Sequence, residues 1–456
     1  MSRVTQLLLI AILAFNICLA QPASKNEANM AERRAIARAM EQSLNQELLD
    51  IYYPRSLDTV YGGFLSTFTY DNKPIGSQEK MIVTQSRHLW TNSKAALRYP
   101  ERSYFRKFAT HGFLFLAGKM WDKEYGGFYS LVTRNGELPP NDPADKNAYG
   151  NAFGIYALAA YYQLTSDTAA LALAKKTFYW LESHSHDPVH NGYFQHMKRD
   201  GTPISRTMNT PATAETGYKD QNSSIHLLEA FTELYEVWKE PLLRRRLEEM
   251  LFLVRDTIIT PRGNLALFFT TDWKPVSVLD SGRGYILQHH NLDYVSFGHD
   301  VETAYLMMEA SRALGFKHDS VTLMIGKKLV DHALKSGWDK QAGGFYDEGF
   351  YFKGDTVITI LKESKNWWAQ AEGLNTLLMM SDYFPNDPHH YFSTFKMLWN
   401  YTQAYLIDHQ WGDWYEEGLD KSPDRKTALK SHIWKAAYHN YRSLGNCVDR
   451  LNNKSN

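Results

Sequence analysis

Six short stretches of this chain share one pattern, Gly with aromatic residues and then a polar turn, and that repeat limits what the chain can fold into. They read YGGFLSTFTYDNKP from Tyr61, YGGFYSLVTRNGEL from Tyr125, NGYFQHMKRDGTPI from Asn191, RGNLALFFTTDWKP from Arg262, AGGFYDEGFYFKGD from Ala342 and WGDWYEEGLDKSP from Trp411, with starts 64 to 80 residues apart. Strand-favouring residues around a Gly, Asn or Asp turn predict a small β-hairpin at each. Between successive stretches lie two segments with helical periodicity, such as residues 84–98 and 102–119, or 219–238 and 241–257. One further helix before the first stretch and one after the last make about twelve, in six pairs. Six helical hairpins that bury one face on their neighbours can close into a ring, so the expected fold is all-α, an (α/α)6 barrel. An open solenoid would call for polar caps and shorter, more uniform repeats. No Pro-rich or Ser-rich linker interrupts residues 21–456, which read as one domain.

Equivalent positions in a ring converge on its axis. Stepping 24 to 37 residues from each stretch reaches Arg87, Tyr149, Asn222, His299, Trp367 and His439, each near the start of a helix. Six unlike polar or aromatic side chains are therefore expected in one axial pocket. Two of them have partners on their own helix face: Glu302 lies three residues after His299, and His226 four after Asn222. Taken singly these are ordinary surface or core pairs; their common place in the repeat makes them candidates.

The segments that carry these residues are SRHLW around Arg87, AYGNAFGIYAL from Ala148, NSSIHLLEA from Asn222, SFGHDVE from Ser296, NWWAQAE from Asn366 and WKAAYHN from Trp434. In this order, over nearly the whole chain, they resemble the N-acylglucosamine 2-epimerase and cellobiose 2-epimerase family, with SFGHD and WW-x-Q-A-E closer to its disaccharide epimerases. The resemblance implies the same barrel and an isomerase that needs no cofactor and no metal. It implies that His299 and His439 exchange the C2 proton of a reducing-end sugar, that Arg87 stabilises the reacting oxygens, and that Glu302 orients its neighbouring histidine. Tyr149, Asn222 and His226 would hold the substrate, and Trp367, Trp368, Glu372 and Trp434 would form the sugar-binding wall. Two departures stand out: Ala436-Ala437 where relatives often carry Cys-Pro, and a long insert over residues 275–292 that includes GRGYILQHH.

The chemistry explains the residue types. Inverting C2 of an aldose requires the open-chain aldehyde, because only a carbonyl at C1 acidifies the C2 hydrogen, and the proton must return to the opposite face of the enediolate. Histidine suits both faces, since its pKa of about 6.5 lets it accept and donate near neutrality. A guanidinium stabilises the negative charge that develops on O1 and O2. Alternatives on the same scaffold are an N-acylglucosamine 2-epimerase or aldose–ketose isomerase, a glycoside hydrolase using Glu302 and Glu372, and a non-catalytic sugar-binding protein.

Composition and termini narrow the class. The formal net charge is zero, without a basic stripe or acidic tail, which argues against nucleic acid and membrane surfaces as partners and leaves a small-molecule sugar, on a monomer or weak homodimer. No Cys-rich or HExxH cluster and no Gly-rich phosphate loop occurs. Residues 1–20 carry one Arg, an apolar stretch and a small-residue end, the look of a secretory signal peptide, so a secreted or periplasmic location is expected. Without Cys18 in that segment, Cys447 has no partner for a disulfide. The adjacent pairs His289-His290 and His389-His390 read as loop residues.

Overall fold

A computed structural model describes residues 25–453; the expected signal peptide lies outside them. Six inner helices, Ile82–Arg98, Ala148–Thr165, Gln221–Val237, Phe297–Ala313, Trp367–Tyr383 and Tyr438–Leu451, pack each on the next, and the sixth returns to the first. Six outer helices, Lys25–Gln42, Tyr104–Phe115, Thr168–His184, Pro241–Leu253, Ser320–Ser336 and Tyr391–Tyr401, each pack on one inner helix. The ring is closed, and the chain forms an (α/α)6 barrel. Among the described residues no helix is long and apolar enough to cross a membrane.

Inner helices need small residues because they are surrounded on every side. The second, AYGNAFGIYALAAYYQLT, has fifteen buried positions among its eighteen. A Cβ on its Gly150 would stand 2.6 Å from Ile82 of the first inner helix, so glycine sets how closely the two approach. Asn147 caps this helix by accepting from the Gly150 N–H at 2.6 Å, and Asp220 caps the third by accepting from Ser223 N–H at 2.6 Å.

The six glycine-aromatic stretches hold the expected hairpins in the first, third, fourth and fifth repeats, and add a turn and a cross-repeat pairing. Each begins with a tight turn closed by a single bridge, Leu57 to Phe64 in the first and Trp338 to Phe345 in the fifth, for example. The residue after the turn, Phe64, Phe128, Tyr193, Leu265, Phe345 or Trp414, is buried in every repeat and wedges inner helix against outer. Truncating such an aromatic costs about 3–5 kcal/mol. The two-residue strands beyond pair with the segment ahead of the preceding inner helix: Lys80–Met81 with Leu131–Val132, Lys146–Asn147 with His196–Met197, and Lys219–Asp220 with Phe268–Phe269. The strands therefore stitch one repeat to the next. The first, third and fourth stretches also fold back on themselves as minimal hairpins, bridged Phe68 to Pro74, Met197 to Pro203 and Phe269 to Pro275, and the fifth forms a longer one, Glu348–Phe350 with Thr359–Lys362.

A buried ion pair anchors the start of most inner helices. Lys80 Nζ lies 2.9 Å from Asp58, Lys146 2.9 Å from Asp122, Lys219 2.8 Å from Asp187 and Lys365 2.8 Å from Asp339, with Lys435 bonded to Asp413 in the sixth repeat. Each lysine is essentially inaccessible to solvent. In the first four of these pairs the same lysine also donates to the carbonyl of Gly62, Gly126, Asn191 or Gly343, so it staples the glycine turn beneath its helix. Removing one partner of such a pair costs roughly 3–5 kcal/mol, because the other charge is left buried. The fourth repeat has Val295 and Thr260 at the corresponding places, so both charges are missing together.

Candidate active site

All six inner helices begin at the same end of the barrel, where the strands lie, and their N-termini converge on one cavity of about 280 Å³. Converging N-termini favour negative charge in the space between them. The cavity is lined by Arg87, Tyr149, Asn222, His226, His299, Glu302, Trp367, Trp368, Trp434 and His439. These are all but one of the residues expected from sequence; the remaining one, Glu372, sits directly behind His439. The expected common register is not a strict one. Counted from the anchoring position, the true equivalents seven residues on are Arg87, Phe153, His226, Glu302, Glu372 and Arg442, while the other lining residues lie nearer the helix starts.

Three histidines are tied through Nδ1. His439 Nδ1 lies 2.7 Å from Glu372 Oε1, His226 Nδ1 2.8 Å from Glu229 Oε2, and His299 Nδ1 2.8 Å from Ser296 Oγ. Among the described residues none of the three has a protein partner on Nε2. Glu302 does not orient His299, as the sequence suggested. Its Oε1 instead accepts from Arg442 at 2.6 Å and lies 3.9 Å from His439 Nδ1. A helix residue three positions on was a reasonable partner for His299, but the shorter Ser296 side chain reaches the ring first from the strand before the helix.

Both proposed bases border one indole. The ring of Trp368 lies 4.7 Å from that of His299 and 5.9 Å from that of His439, centroid to centroid. Gly298 makes this approach feasible, since a Cβ there would stand 2.6 Å from Trp368. Trp434, half exposed, stands at the mouth, whereas Trp367 is almost fully buried beneath the Lys435 ammonium.

Two buried arginines play opposite parts. Arg87 donates to Trp434 O at 3.0 Å and Tyr149 Oη at 3.2 Å and lies over Phe153, with no carboxylate in ion-pair range among the described residues. Its charge is left for whatever enters the cavity. Arg442, unrecognised in the sequence, donates to Glu229, Glu302 and Glu372 and to the Tyr438 hydroxyl. It closes the floor of the pocket. Glu302, Glu372 and His439 present donor atoms within 4.8 Å of one another, a spacing a metal ion could use, but the guanidinium 2.6 Å from both carboxylates already takes the cationic place.

Three carboxylates around one guanidinium cannot all be neutralised. Burial pushes Glu302 and Glu372 up to about 7, and in Glu302 the charge of Glu372 adds to it. Glu229 is buried too, but Arg442 and His226 hold it down at about 2. Burial lowers His299 to about 3 and takes His439 well below the ordinary histidine value, with Arg87 and Arg442 pushing the latter the same way. Both rings are therefore neutral, proton-accepting bases at neutral pH.

Residues 62–443 match the model of the N-acylglucosamine 2-epimerase (GlcNAc 2-epimerase) family. A cellobiose 2-epimerase of Bacteroides fragilis is 28% identical over 91% of this chain and 98% of its own, and a D-mannose isomerase of Marinomonas mediterranea is 23% identical over 89% of this chain and 95% of its own. The solved structure of a cellobiose 2-epimerase from Spirochaeta thermophila superposes with a TM-score of 0.78 at 27% identity, covering 93% of this chain and 98% of that one. The extent of the match, together with the barrel and the histidine-lined cavity at its helix N-termini, makes this chain an isomerase and a member of the N-acylglucosamine 2-epimerase family.

Proposed function

We propose that this enzyme inverts C2 of the reducing-end ring of a β-1,4-linked hexose disaccharide such as cellobiose, using His299 and His439 as the two proton-exchanging bases. The observation that carries the reading is that both imidazoles border Trp368 in one cavity, each with Nδ1 occupied and Nε2 open. Arg87 supports it, because an arginine without a carboxylate partner suits the oxyanions of an enediolate.

The two bases are not alike. Glu372 accepts the Nδ1 proton of His439, which leaves a lone pair on Nε2 and stabilises the imidazolium once a proton is taken. The Ser296 hydroxyl beside His299 both donates and accepts, so that ring can start with its proton on either nitrogen. A two-base inversion needs this asymmetry: one side takes the C2 proton while the other returns one. In this reading His439 takes the C2 proton and becomes imidazolium, while His299, protonated once the negative enediolate lies beside it, returns a proton from Nε2 to the opposite face and is left neutral; exchange with solvent then resets both rings. His226, held by Glu229, and Tyr149, held by Arg87, stand where ring opening and the sugar hydroxyls require donors.

An aldose–ketose isomerase is the second reading, favoured by the relative named D-mannose isomerase. It would share the enediolate and differ in the carbon that is reprotonated. A hydrolase built on Glu302 and Glu372 is disfavoured, since Arg442 bridges both carboxylates on the floor instead of leaving them to face across a bond. Incubation with cellobiose, mannobiose, N-acetylglucosamine and mannose in deuterated water separates these cases. Epimerisation places deuterium at C2 of an aldose product. Deuterium appearing only in a ketose, or release of monosaccharide from cellobiose, overturns the reading.

A further inference from the structure

The barrel is hollow from both ends. Below the floor set by Arg442 lies another axial cavity, of about 750 Å³, which opens where the inner helices end. One turn past the ring of positions that runs from Arg87 through Glu372 to Arg442, the equivalent residues are Trp90, Tyr156, Glu229, Tyr305, Asn375 and Gly445. All of these but Asn375 line the lower cavity. The helix of Asn375, the fifth, stands between those of Tyr305 and Asn446, and the Asn446 amide donates to the Tyr305 hydroxyl at 3.0 Å. By register that bond spans the fifth helix at the level of Asn375, on the side of the lower cavity, which Tyr305 and Asn446 both line.

Asn375 is fully buried, and neither end of its amide has a hydrogen-bond partner among the described residues. The same holds for Oε2 of Glu372, three residues earlier on the same helix face. Oε1 of Glu372 is already used, by His439 at 2.7 Å and Arg442 at 2.6 Å. Buried polar atoms without a protein partner are satisfied by ordered water, and a buried water needs about two to four such partners. Glu372 Oε2 and the two ends of the Asn375 amide supply them. Arg442 cannot pass a proton through the floor, because its guanidinium does not deprotonate. The Glu372 carboxyl can, with one oxygen on the catalytic ring and the other left for water.

We propose that Glu372 exchanges its proton with solvent through the floor, from Oε2 to water held by the Asn375 amide and on to the lower cavity. Asn375 is then a positioning residue for the His439–Glu372 pair, a role that rests on the epimerase reading above. For His439 to hold a second proton, Glu372 first gives up its own. The Oε2–H bond breaks, its electron pair stays on the carboxylate, and the proton joins water at Asn375; no co-reactant other than water enters. A disaccharide filling the upper cavity leaves this exit free.

The titratable and charged groups around Glu372 are Glu302 on the fourth inner helix, Glu229 on the third, Arg87 on the first, and Tyr438, His439, Arg442 and Cys447 on the sixth. On the outer helices packed behind, Tyr391 and Lys327 bond to Asp331, His332 to Asp300, Lys396 to Glu32 and Tyr401 to Asp420. All of them are kept in the variants below, so a moved titration reports Asn375.

Asn375→Leu keeps a branched side chain and removes the amide, whereas Asn375→Ser leaves a hydroxyl and room for water. In Asn375→Leu the acid limb of kcat is expected to move up by about one pH unit and kcat at pH 7 to fall several-fold. Its melting temperature should equal or exceed that of the wild type, because a buried amide without a protein partner is lost. Asn375→Ser should return the limb close to its wild-type position. In the wild type the limb should fall at the same pH in kcat and in kcat/KM for cellobiose, since substrate does not cover the exit. A limb unmoved in Asn375→Leu, moved alike in both variants, or raised by saturation with cellobiose overturns the route. Should Asn375→Leu not fold, Asn375→Val carries the same test. Deuterium exchange into C2 of cellobiose by the wild type keeps the two readings apart. Without it the epimerase reading falls and the route with it; with it, an unmoved limb removes the route alone.

Discussion

The fourth repeat and its neighbours solve the same problem differently. In four repeats a buried lysine staples the start of the inner helix to the carboxylate of the glycine turn beneath it, and the sixth uses Lys435 with Asp413. In the fourth the pair is replaced by Val295 and Thr260, and the helix keeps the bond that three stapled repeats also make: Asp300 accepts from Leu265 N–H at 3.0 Å, as Gln85 does from Phe64, Asn151 from Phe128 and Gln370 from Phe345, and Asp300 also faces His332 at 3.2 Å. This is the helix that carries His299 and follows the insert. The charged staple is thus a device for fixing helix starts, and the repeat with the most remodelled surroundings does without it. Losing both charges at once is what physics favours, since a lone buried charge costs more than a neutral pair.

The largest expected effect compares the two proton-exchanging helices directly. His439→Gln, on a stapled helix, and His299→Gln, on the unstapled one, should each lower the rate of C2 deuterium exchange by about 10²- to 10⁴-fold while leaving the melting temperature within a few degrees. A near-normal rate in either variant would break the two-base assignment. Comparable losses would show that lacking the charged staple is no handicap to catalysis on the fourth helix.

Next in size is the staple itself. Lys219→Met leaves Asp187 buried with only the half-exposed His190 ring, at 3.3 Å, as a side-chain partner, and should cost about 3–5 kcal/mol in urea denaturation. The double variant Asp187→Thr with Lys219→Val, which copies the fourth repeat, should recover much of that loss. If the double variant is as unstable as the single one, the neutral pair of the fourth repeat is not an equivalent solution. Asp187 is held down at about 2, against its burial, by the Lys219 ammonium. Its stabilising contribution is therefore full above about pH 4 and lost as pH falls toward 2.

The carboxylates on the floor behave in the opposite sense. Glu372 sits near 7 because of its burial, so between about pH 4.5 and 7 the folded protein keeps a proton that the unfolded chain gives up. Stability should fall as pH rises through that window, while kcat/KM should climb as the carboxylate behind His439 ionises. Glu372→Gln is expected to flatten both profiles and to lower the plateau about tenfold or more. An acid limb near 7 that survives in the variant would assign the titration to another group.

How much of this could be read from sequence follows from distance along the chain. The repeat, the helix pairs and the pocket residues were legible because each motif is local: a polar or aromatic residue near a helix start, recurring in every repeat though not in strict register. The staples were not, because Lys80 and Asp58 are 22 residues apart and Lys219 and Asp187 are 32, with nothing between them to mark a pair. Arg442 was passed over as one charge in HNYRSL, although its register seven residues after Lys435 matches Arg87 after Lys80. The hairpins of the first, third, fourth and fifth stretches were legible because their turn residues are local, while the further pairing of these strands was not, because that partner belongs to the previous repeat. Glu302 was given to the nearest histidine, when the fold offers it Arg442.

The smallest expected effect concerns Ser296, which has no counterpart on the His439 side. If its hydroxyl lets His299 hold a proton on either nitrogen, Ser296→Ala removes one net hydrogen bond, worth about 0.5–1.5 kcal/mol, and with it the guide for that proton. Turnover should drop a few-fold to about tenfold, with a larger loss in exchange from the face His299 serves than from the other. Measuring C2 exchange from the gluco and the manno epimer separately distinguishes the two faces, because each epimer presents its hydrogen to a different histidine. A uniform loss from both epimers would make Ser296 a packing residue at a helix start. A loss confined to one epimer fixes which ring it serves, and would show that the unstapled helix begins with a hydroxyl that takes part in the chemistry.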